Sequence, residues 1–502
     1  MAKTSSKELF ELIKTLSKTE KANFKLVAST YRSSQNEHYL RLFDAIAASK
    51  EYDEKKIMHR LKISPAHFPD LKNYLHKRIM FSLEMFYNNK TVRSEVNSLL
   101  DQCRILIKKT LMNQARKKAF KAISLAEQAS LLNCLIEARE LYLFTFWDPK
   151  QEDEMNLVYS DIFNKIQHNI GQLQEYYDIK HLHVEMYLLG MKTGGALSGV
   201  DEPTIRQHVK QFEWLNNNKA ASSQVAQIVL LRQRHIFHCF LMDKEETSFV
   251  ISANKLFEKE PLLKTVYYRD YLLNLFNWLY SNLEIISLQE FNNAIDNVHK
   301  LIGTMHESEI VEMVSNFYVA KLKWFNIQGR YDEGISYYLS TPILQEEYER
   351  FKLNNRLALW LNLSEAYIQV NNVKKALIYI NNILNEGYKN LRVDLFCLAH
   401  IYSLLVHFCL ANYDQLPSMV IKAKRFIVKY GEPNPVYTAL LVFFSKQTDR
   451  FYVPAERREV LLQLKSTLSS LFTDPHNEQI TKKYFDYLAW VDNQIDTKSN
   501  IK

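Results

Sequence analysis

The stretch Trp360-Leu-Asn-Leu-Ser-Glu-Ala-Tyr-Ile-Gln-Val-Asn-Asn-Val-Lys-Lys-Ala376 decides the fold class of this 502-residue chain. Its large apolar residues Trp360, Leu363 and Tyr367 recur at spacings of three and four, which is typical of one face of an α-helix. An Asn-Asn dipeptide then interrupts the pattern, as turn-favouring residues do. Because one helix pair cannot bury its apolar face alone, the stretch predicts a pair that packs on neighbouring pairs.

This stretch also resembles the tetratricopeptide-repeat (TPR) family. The first helix of that repeat carries a large residue, a Leu, a small residue and an aromatic residue, and the second helix carries a small residue where the two cross. In this chain the positions are filled by Trp360, Leu363, Ser364, Tyr367 and Ala376.

Neighbouring units match the family less completely. The preceding unit aligns through Tyr318, Phe325, Gly329, Tyr331, Gly334 and Tyr338, and a following unit is visible at Ala411-Asn412-Tyr413. The turn positions Tyr331, Val373 and Tyr413 are 42 and 40 residues apart, whereas the family period is about 34 residues. The resemblance is best over residues 310–430, and it implies repeats with lengthened helices or loops.

The resemblance implies an all-α fold, an α-solenoid of stacked antiparallel helix pairs (a TPR-like superhelix), here preceded by an N-terminal helical module. It also implies a groove, lined by the first helices, that binds an extended peptide or a partner helix. On the two better units the groove positions are Lys323, Asn326, Asn362, Glu365 and Gln369. They lack the Lys and Asn cluster with which chaperone-binding members hold a terminal carboxylate, so the resemblance does not point to that ligand.

The composition agrees with long helices joined by short loops. The chain contains only 10 Gly and 11 Pro, whereas folds rich in strands need frequent turn residues. The five cysteines are far apart and form no C-x-x-C pair, which indicates reduced thiols. The N-terminus has no continuous apolar stretch of the kind found in signal peptides. We therefore expect a cytoplasmic protein without a membrane partner.

Positive charge is concentrated in the first quarter of the chain. Residues 1–125 contain 25 Lys and Arg against 12 Asp and Glu, although the whole chain has a net charge of only +8. Residues 53–83 have the outline of a helix-turn-helix, with basic residues on the second helix. The candidate nucleic-acid contacts are Lys72, Lys77, Arg78, Arg116, Lys117, Lys118 and Lys121. The alternative interpretation is an ordinary helical bundle that caps the repeats.

Composition and turn residues divide the chain into four predicted regions. Residues 1–90 form the basic N-terminal module and residues 91–189 form helix pairs. Residues 190–203, which include four of the ten glycines, form a loop or hinge, and residues 204–502 form the TPR-like repeats.

The sequence gives no motif for catalysis, cofactor binding or metal binding. His306-Glu307 begins like a zinc-protease motif, but Ile310 occupies the position of the second ligand. His235, His238 and Cys239 share a helical spacing but lack a fourth ligand. We therefore expect no enzyme activity, no cofactor and no metal.

Two functions remain open from the sequence. The first is a cytoplasmic helical-repeat scaffold for protein–protein interaction, which binds a protein or peptide partner. The alternative is a nucleic-acid-associated regulator that binds through the basic N-terminal region and uses the repeats as a sensor or recruiter.

Overall fold

The computed structural model describes residues 7–30, 34–87, 91–146, 152–193, 202–210, 212–216, 219–241, 246–301, 307–387, 392–430, 434–474, 477 and 484–496. These residues form α-helices and short 3-10 turns, with no strand among them. The chain divides into two compact units, residues 1–159 and 160–502.

The first unit is built from helices that begin and end close together in sequence. They are α1 (Glu8–Thr15), α2 (Lys18–Thr30), α3 (Ser34–Ala48), α4 (Glu54–Leu61), α5 (Phe68–Tyr87), α6 (Val92–Lys108), α7 (Met112–Gln128) and α8 (Leu132–Phe144), and α9 (Glu152–Thr193) continues into the second unit.

The sequence explains the start of α2 and the packing of α7. The main-chain N–H of Ser17 donates to Glu20 Oε2 at 2.7 Å, and the N–H of Glu20 donates to Ser17 Oγ at 3.2 Å, which completes a capping box. In α7 the alanines at 115, 119, 122 and 126 are fully buried, and α7 packs against both α6 and α8. Small side chains allow this close approach of neighbouring helices.

The second unit continues with α10 (Glu202–His208), α11 (Glu213–Asn216), α12 (Gln224–Phe240), α13 (Glu246–Lys259), α14 (Pro261–Val266), α15 (Tyr268–Ser281), α16 (Leu288–Leu301), α17 (Glu307–Ile327), α18 (Tyr331–Ser340), α19 (Pro342–Glu346), α20 (Leu353–Gln369), α21 (Val373–Leu384), α22 (Val393–Cys409), α23 (Leu416–Tyr430), α24 (Pro435–Lys446), α25 (Pro454–Leu471) and α26 (Tyr487–Asp496). From α20 to α25 each helix packs against the next, and α20 also packs against α17 and α22. Neighbouring helix pairs therefore share one continuous apolar core.

One turn geometry joins several of these pairs. Each turn has a residue with positive φ, whose N–H donates to the carbonyl three residues earlier, while the next N–H donates to the carbonyl five residues earlier. This is the Schellman motif, which closes the end of a helix. It occurs at Lys62, Thr110, Ser130, Gly329, Asn371 and Ala411. The last three lie two residues before the turn positions predicted from the sequence.

Residues 65–67 form a turn before α5, so Pro69 lies in the first turn of that helix, where proline is tolerated. One predicted boundary needs correction. Helix α9 does not stop before Gly190 but continues to Thr193. Residues 194–201 of the predicted hinge lie outside the described residues.

Candidate functional site

The five predicted groove residues come together between α17 and α20. Lys323 and Asn326 lie one turn apart on α17, and Asn362, Glu365 and Gln369 lie one turn apart on α20. Because these two helices pack against each other, the two rows meet as one polar row. The first four side chains are only 3% to 6% exposed. The polar row is therefore largely closed to solvent, not open to it.

Glu365 is the centre of the polar row. Lys323 Nζ lies 2.8 Å from Glu365 Oε2, and Asn326 Nδ2 donates to the same oxygen at 2.9 Å. Asn326 also donates to the main-chain carbonyl of Asn362, which links the two helices a second time. Burial raises the pKa of the Glu365 carboxyl above its ordinary value, and Lys323 and Asn326 oppose that rise.

The chain's own C-terminal segment covers the polar row. The hydroxyl of Tyr402 donates to the carbonyl of Tyr484 at 2.7 Å, and Lys323 Nζ donates to the same carbonyl at 3.5 Å. Gln369 Nε2 donates to the carbonyl of Asp486 at 3.2 Å. The row thus binds main-chain carbonyls of residues 484–486, just before α26. Sequence reasoning placed these five residues on one face but missed the segment that occupies it.

The basic residues of α5 differ in how they are used. Lys72 forms an ion pair with Glu54 of α4 and is mostly buried. Arg78 lies over the ring of Phe81, 5.4 Å from its centroid. Lys77 is exposed. Lys72 therefore joins the two helices of the helix-turn-helix outline, and Lys77 is the residue that faces solvent.

The basic cluster of α7 is also divided. The Arg116 guanidinium donates to the carbonyl of Thr145 at 2.7 Å and lies 3.7 Å above the centre of the Phe146 ring. Lys121 forms an exposed ion pair with Glu95 at 3.3 Å. Lys117 is exposed and Lys118 is half-buried. Arg116 thus stabilises the end of α8.

A surface that sequence reasoning missed runs along α9. Six exposed residues alternate at spacings of four and three, which is the pattern of a coiled-coil contact line. We define this α9 seam as Ile170, Gln174, Tyr177, His181, Val184 and Leu188.

The opposite face of α9 is already used. It buries Ile179, Leu182, Met186 and Leu189 in a core shared with α12. The helix therefore has one apolar face that packs inside its own unit and a second that faces solvent. Gly171, next to the seam, has no neighbouring atom within 4 Å of the place where a Cβ would be.

The three side chains that share a helical spacing, His235, His238 and Cys239, do not converge on one point. Cys239 Sγ lies 3.6 Å from His235 Nε2, but the ring of His238 stacks on Phe249. Across the described ranges, no group of three or more His, Cys, Asp or Glu side chains is placed to hold a metal ion. In the same part of the chain, no helix combines the length and apolar character needed to cross a membrane.

No protein family, curated protein or solved structure was found to match the chain.

Proposed function

We propose that the chain is a non-catalytic helical-repeat scaffold that binds protein partners, built as a TPR-like α-solenoid of stacked antiparallel helix pairs. The repeated Schellman turns at Gly329, Asn371 and Ala411 support the architecture, since each ends a first helix that is followed by its second helix. The packing of α20 against both α17 and α22 supports it too, because first helices contact each other in stacked repeats.

The α9 seam is the observation that carries the binding proposal. Its four apolar members and the adjacent Tyr187 are each 44% to 56% exposed. Half-exposed large side chains in a continuous line are costly to leave in water, and large exposed apolar patches usually mark interaction sites. The coiled-coil spacing further specifies that the partner presents a helix.

The polar row is a weaker candidate for the partner site. A partner peptide would have to displace residues 484–486 and α26 with them. Phe485, Tyr487 and Trp490 are each about 1% exposed, and re-exposing a side chain of this size costs about 1.5–3 kcal/mol. In our proposal the polar row therefore holds the C-terminal segment in place through hydrogen bonds and does not bind the partner.

Capture with matched variants tests the proposal. The tagged full chain, Val184→Glu and Val428→Glu are compared for bound proteins, with Val428 as control because it is an exposed valine on a different helix, α23. We expect a reproducible set of protein ligands, untagged copies of the chain included, that is lost from Val184→Glu and kept by Val428→Glu. Equal capture by all three proteins would contradict a role for the seam.

The nucleic-acid alternative has less support because Lys72, Arg116 and Lys121 already contact other residues of the same chain. It makes a distinct prediction for the exposed Lys77 and Lys117. If it holds, the logarithm of the binding constant of the full chain for labelled DNA falls by about 0.9 per phosphate contact for each tenfold increase in salt concentration. Replacing both lysines with glutamate would then reduce that slope. Undetectable DNA binding would contradict the alternative, and a slope that both replacements leave unchanged would exclude Lys77 and Lys117 from the phosphate contacts.

A further inference from the structure

The α9 seam is complementary to itself when the helix is reversed. Placing two copies of α9 antiparallel, with Ile170 level with Leu188 of the second copy, also aligns Gln174 with Val184 and Tyr177 with His181. All six seam positions then have a counterpart, and the central layer pairs a phenol hydroxyl with an imidazole ring, which can share a hydrogen bond. An apolar layer closes each end.

We propose that the α9 seam binds the α9 seam of a second copy of this chain, as an antiparallel two-stranded coiled coil. The proposal rests on the scaffold function above and names its partner. A two-fold pair uses the same patch on both subunits, which is the commonest arrangement of soluble oligomers. A self-complementary line of residues is what such an interface requires.

The apolar side chains of the seam supply about half of the area that a dimer needs, since a stable interface covers about 800 Å² on each partner. A large aromatic side chain offers on the order of 150–250 Å² and an aliphatic one less, so the half-exposed Ile170, Tyr177, Val184, Tyr187 and Leu188 leave roughly 400 Å² of apolar surface. The polar seam residues Gln174 and His181, with the residues beside the seam, would supply the remainder. A second copy of α9 can therefore cover the whole seam.

Two charged residues flank the two-fold axis. Asp178 lies on one side of the seam and the exposed Lys180 on the other. In the antiparallel register, each of these residues faces the identical residue of the second copy. Like charges that face each other across the two-fold axis weaken association, and salt screens their repulsion. The dimer should therefore tighten as salt increases, whereas a contact held by opposite charges would loosen.

Sedimentation of the full chain tests the second copy. We expect a reversible monomer–dimer equilibrium between nanomolar and high micromolar concentrations, strengthened by salt. Val184→Glu should weaken association by roughly tenfold or more, because it places an unpaired carboxylate in the contact, and Val428→Glu should leave it unchanged. Circular dichroism verifies that both variants keep the helical fold. A chain that stays monomeric at every concentration, or a dimer that Val184→Glu does not weaken, overturns the proposal.

Disulfide trapping tests the antiparallel register. Ile170→Cys and Leu188→Cys are oxidised separately and as a mixture. We expect a cross-linked dimer from the mixture alone, because in the antiparallel register identical positions lie about 27 Å apart. Cross-linking of either variant by itself indicates a parallel pair and overturns the register.

The two proposals fail in different ways. If the chain is monomeric but Val184→Glu still loses captured proteins, the scaffold function stands and the second copy is wrong. If the chain is monomeric and capture is equal for all variants, the second copy is wrong and the seam has no role in protein binding.

Discussion

The buried ion pair of the polar row gives a quantitative test of the fold. Lys323 and Glu365 are both less than 5% exposed, and their charged atoms are 2.8 Å apart. At an effective dielectric constant of about 20, two unit charges at this distance attract by roughly 6 kcal/mol. Removing each charge from water costs several kcal/mol, so the intact pair contributes little net stability. Removing one partner is different, because the other charge stays buried.

Single replacements should therefore cost far more than the double replacement. We expect Glu365→Leu to lower the free energy of unfolding by about 3–5 kcal/mol, because it leaves the Lys323 ammonium without its carboxylate. The double variant Lys323→Met with Glu365→Leu should unfold close to the wild-type value. The exposed pair Asp161–Lys165 is the control, since Asp161→Asn should change the free energy by only about 0.3–0.5 kcal/mol.

The pH dependence of Lys323→Met provides a second readout. Without Lys323, burial of Glu365 raises the pKa of its carboxyl still further above its ordinary value of 4.5. The folded protein then holds this proton more tightly than the unfolded chain, so stability is gained as the pH falls toward 4.5 and lost as it rises. Lys323→Met should accordingly be less destabilising at low pH than at high pH.

Urea unfolding followed by circular dichroism and tryptophan fluorescence measures each of these differences. Single replacements that cost less than about 1 kcal/mol would refute the buried pair. So would a double variant whose loss equals the sum of the two single losses, since that result means the two groups do not interact.

Four further substitutions test single positions. Gly334→Ala should destabilise the second unit by about 1–3 kcal/mol because its Cβ would lie 3.0 Å from the Cβ of Phe325. Gly171→Ala should stabilise the protein by up to about 1 kcal/mol, because no atom lies within 4 Å of its added Cβ. Urea unfolding measures both changes. Ala411→Gly should raise the unfolding midpoint, because φ of +57° is strained for alanine; a lower midpoint would contradict the left-handed turn. Burial and the charge of Arg232 lower the pKa of His183 below its ordinary value of 6.5. The folded state therefore binds this proton less tightly than the unfolded chain, and stability is lost as the pH falls below 6.5. His183→Gln should reduce that loss in a pH series of thermal melts.

Local features of the structure could be predicted where the decisive residues are close in sequence. The capping box of Ser17 and Glu20 spans four residues, and the turn at Asn371 depends on residues within one helical turn of it. Helix starts, turns and the apolar repeat pattern are determined by such short spacings. The all-α class follows from them and agrees with the structure.

Features set by distant residues could not be predicted in this way. Lys323 and Tyr484 are 161 positions apart, and nothing local to α17 indicates that the C-terminal segment covers it. The α9 seam was missed for another reason. Both faces of α9 carry apolar residues at helical spacing, so the sequence alone does not tell which face is buried. The available signal was the length of α9 together with its two apolar lines.

Site-specific photo-cross-linking tests the central claim, that this chain is a scaffold whose α9 seam binds protein. A benzophenone amino acid is placed at Gln174 in the seam and, as control, at the exposed Lys424 on α23, and the full chain is irradiated in its own cells. We expect a covalent protein adduct at Gln174 that mass spectrometry identifies, and none at Lys424. No adduct at Gln174, or the same adducts at both positions, would contradict the claim.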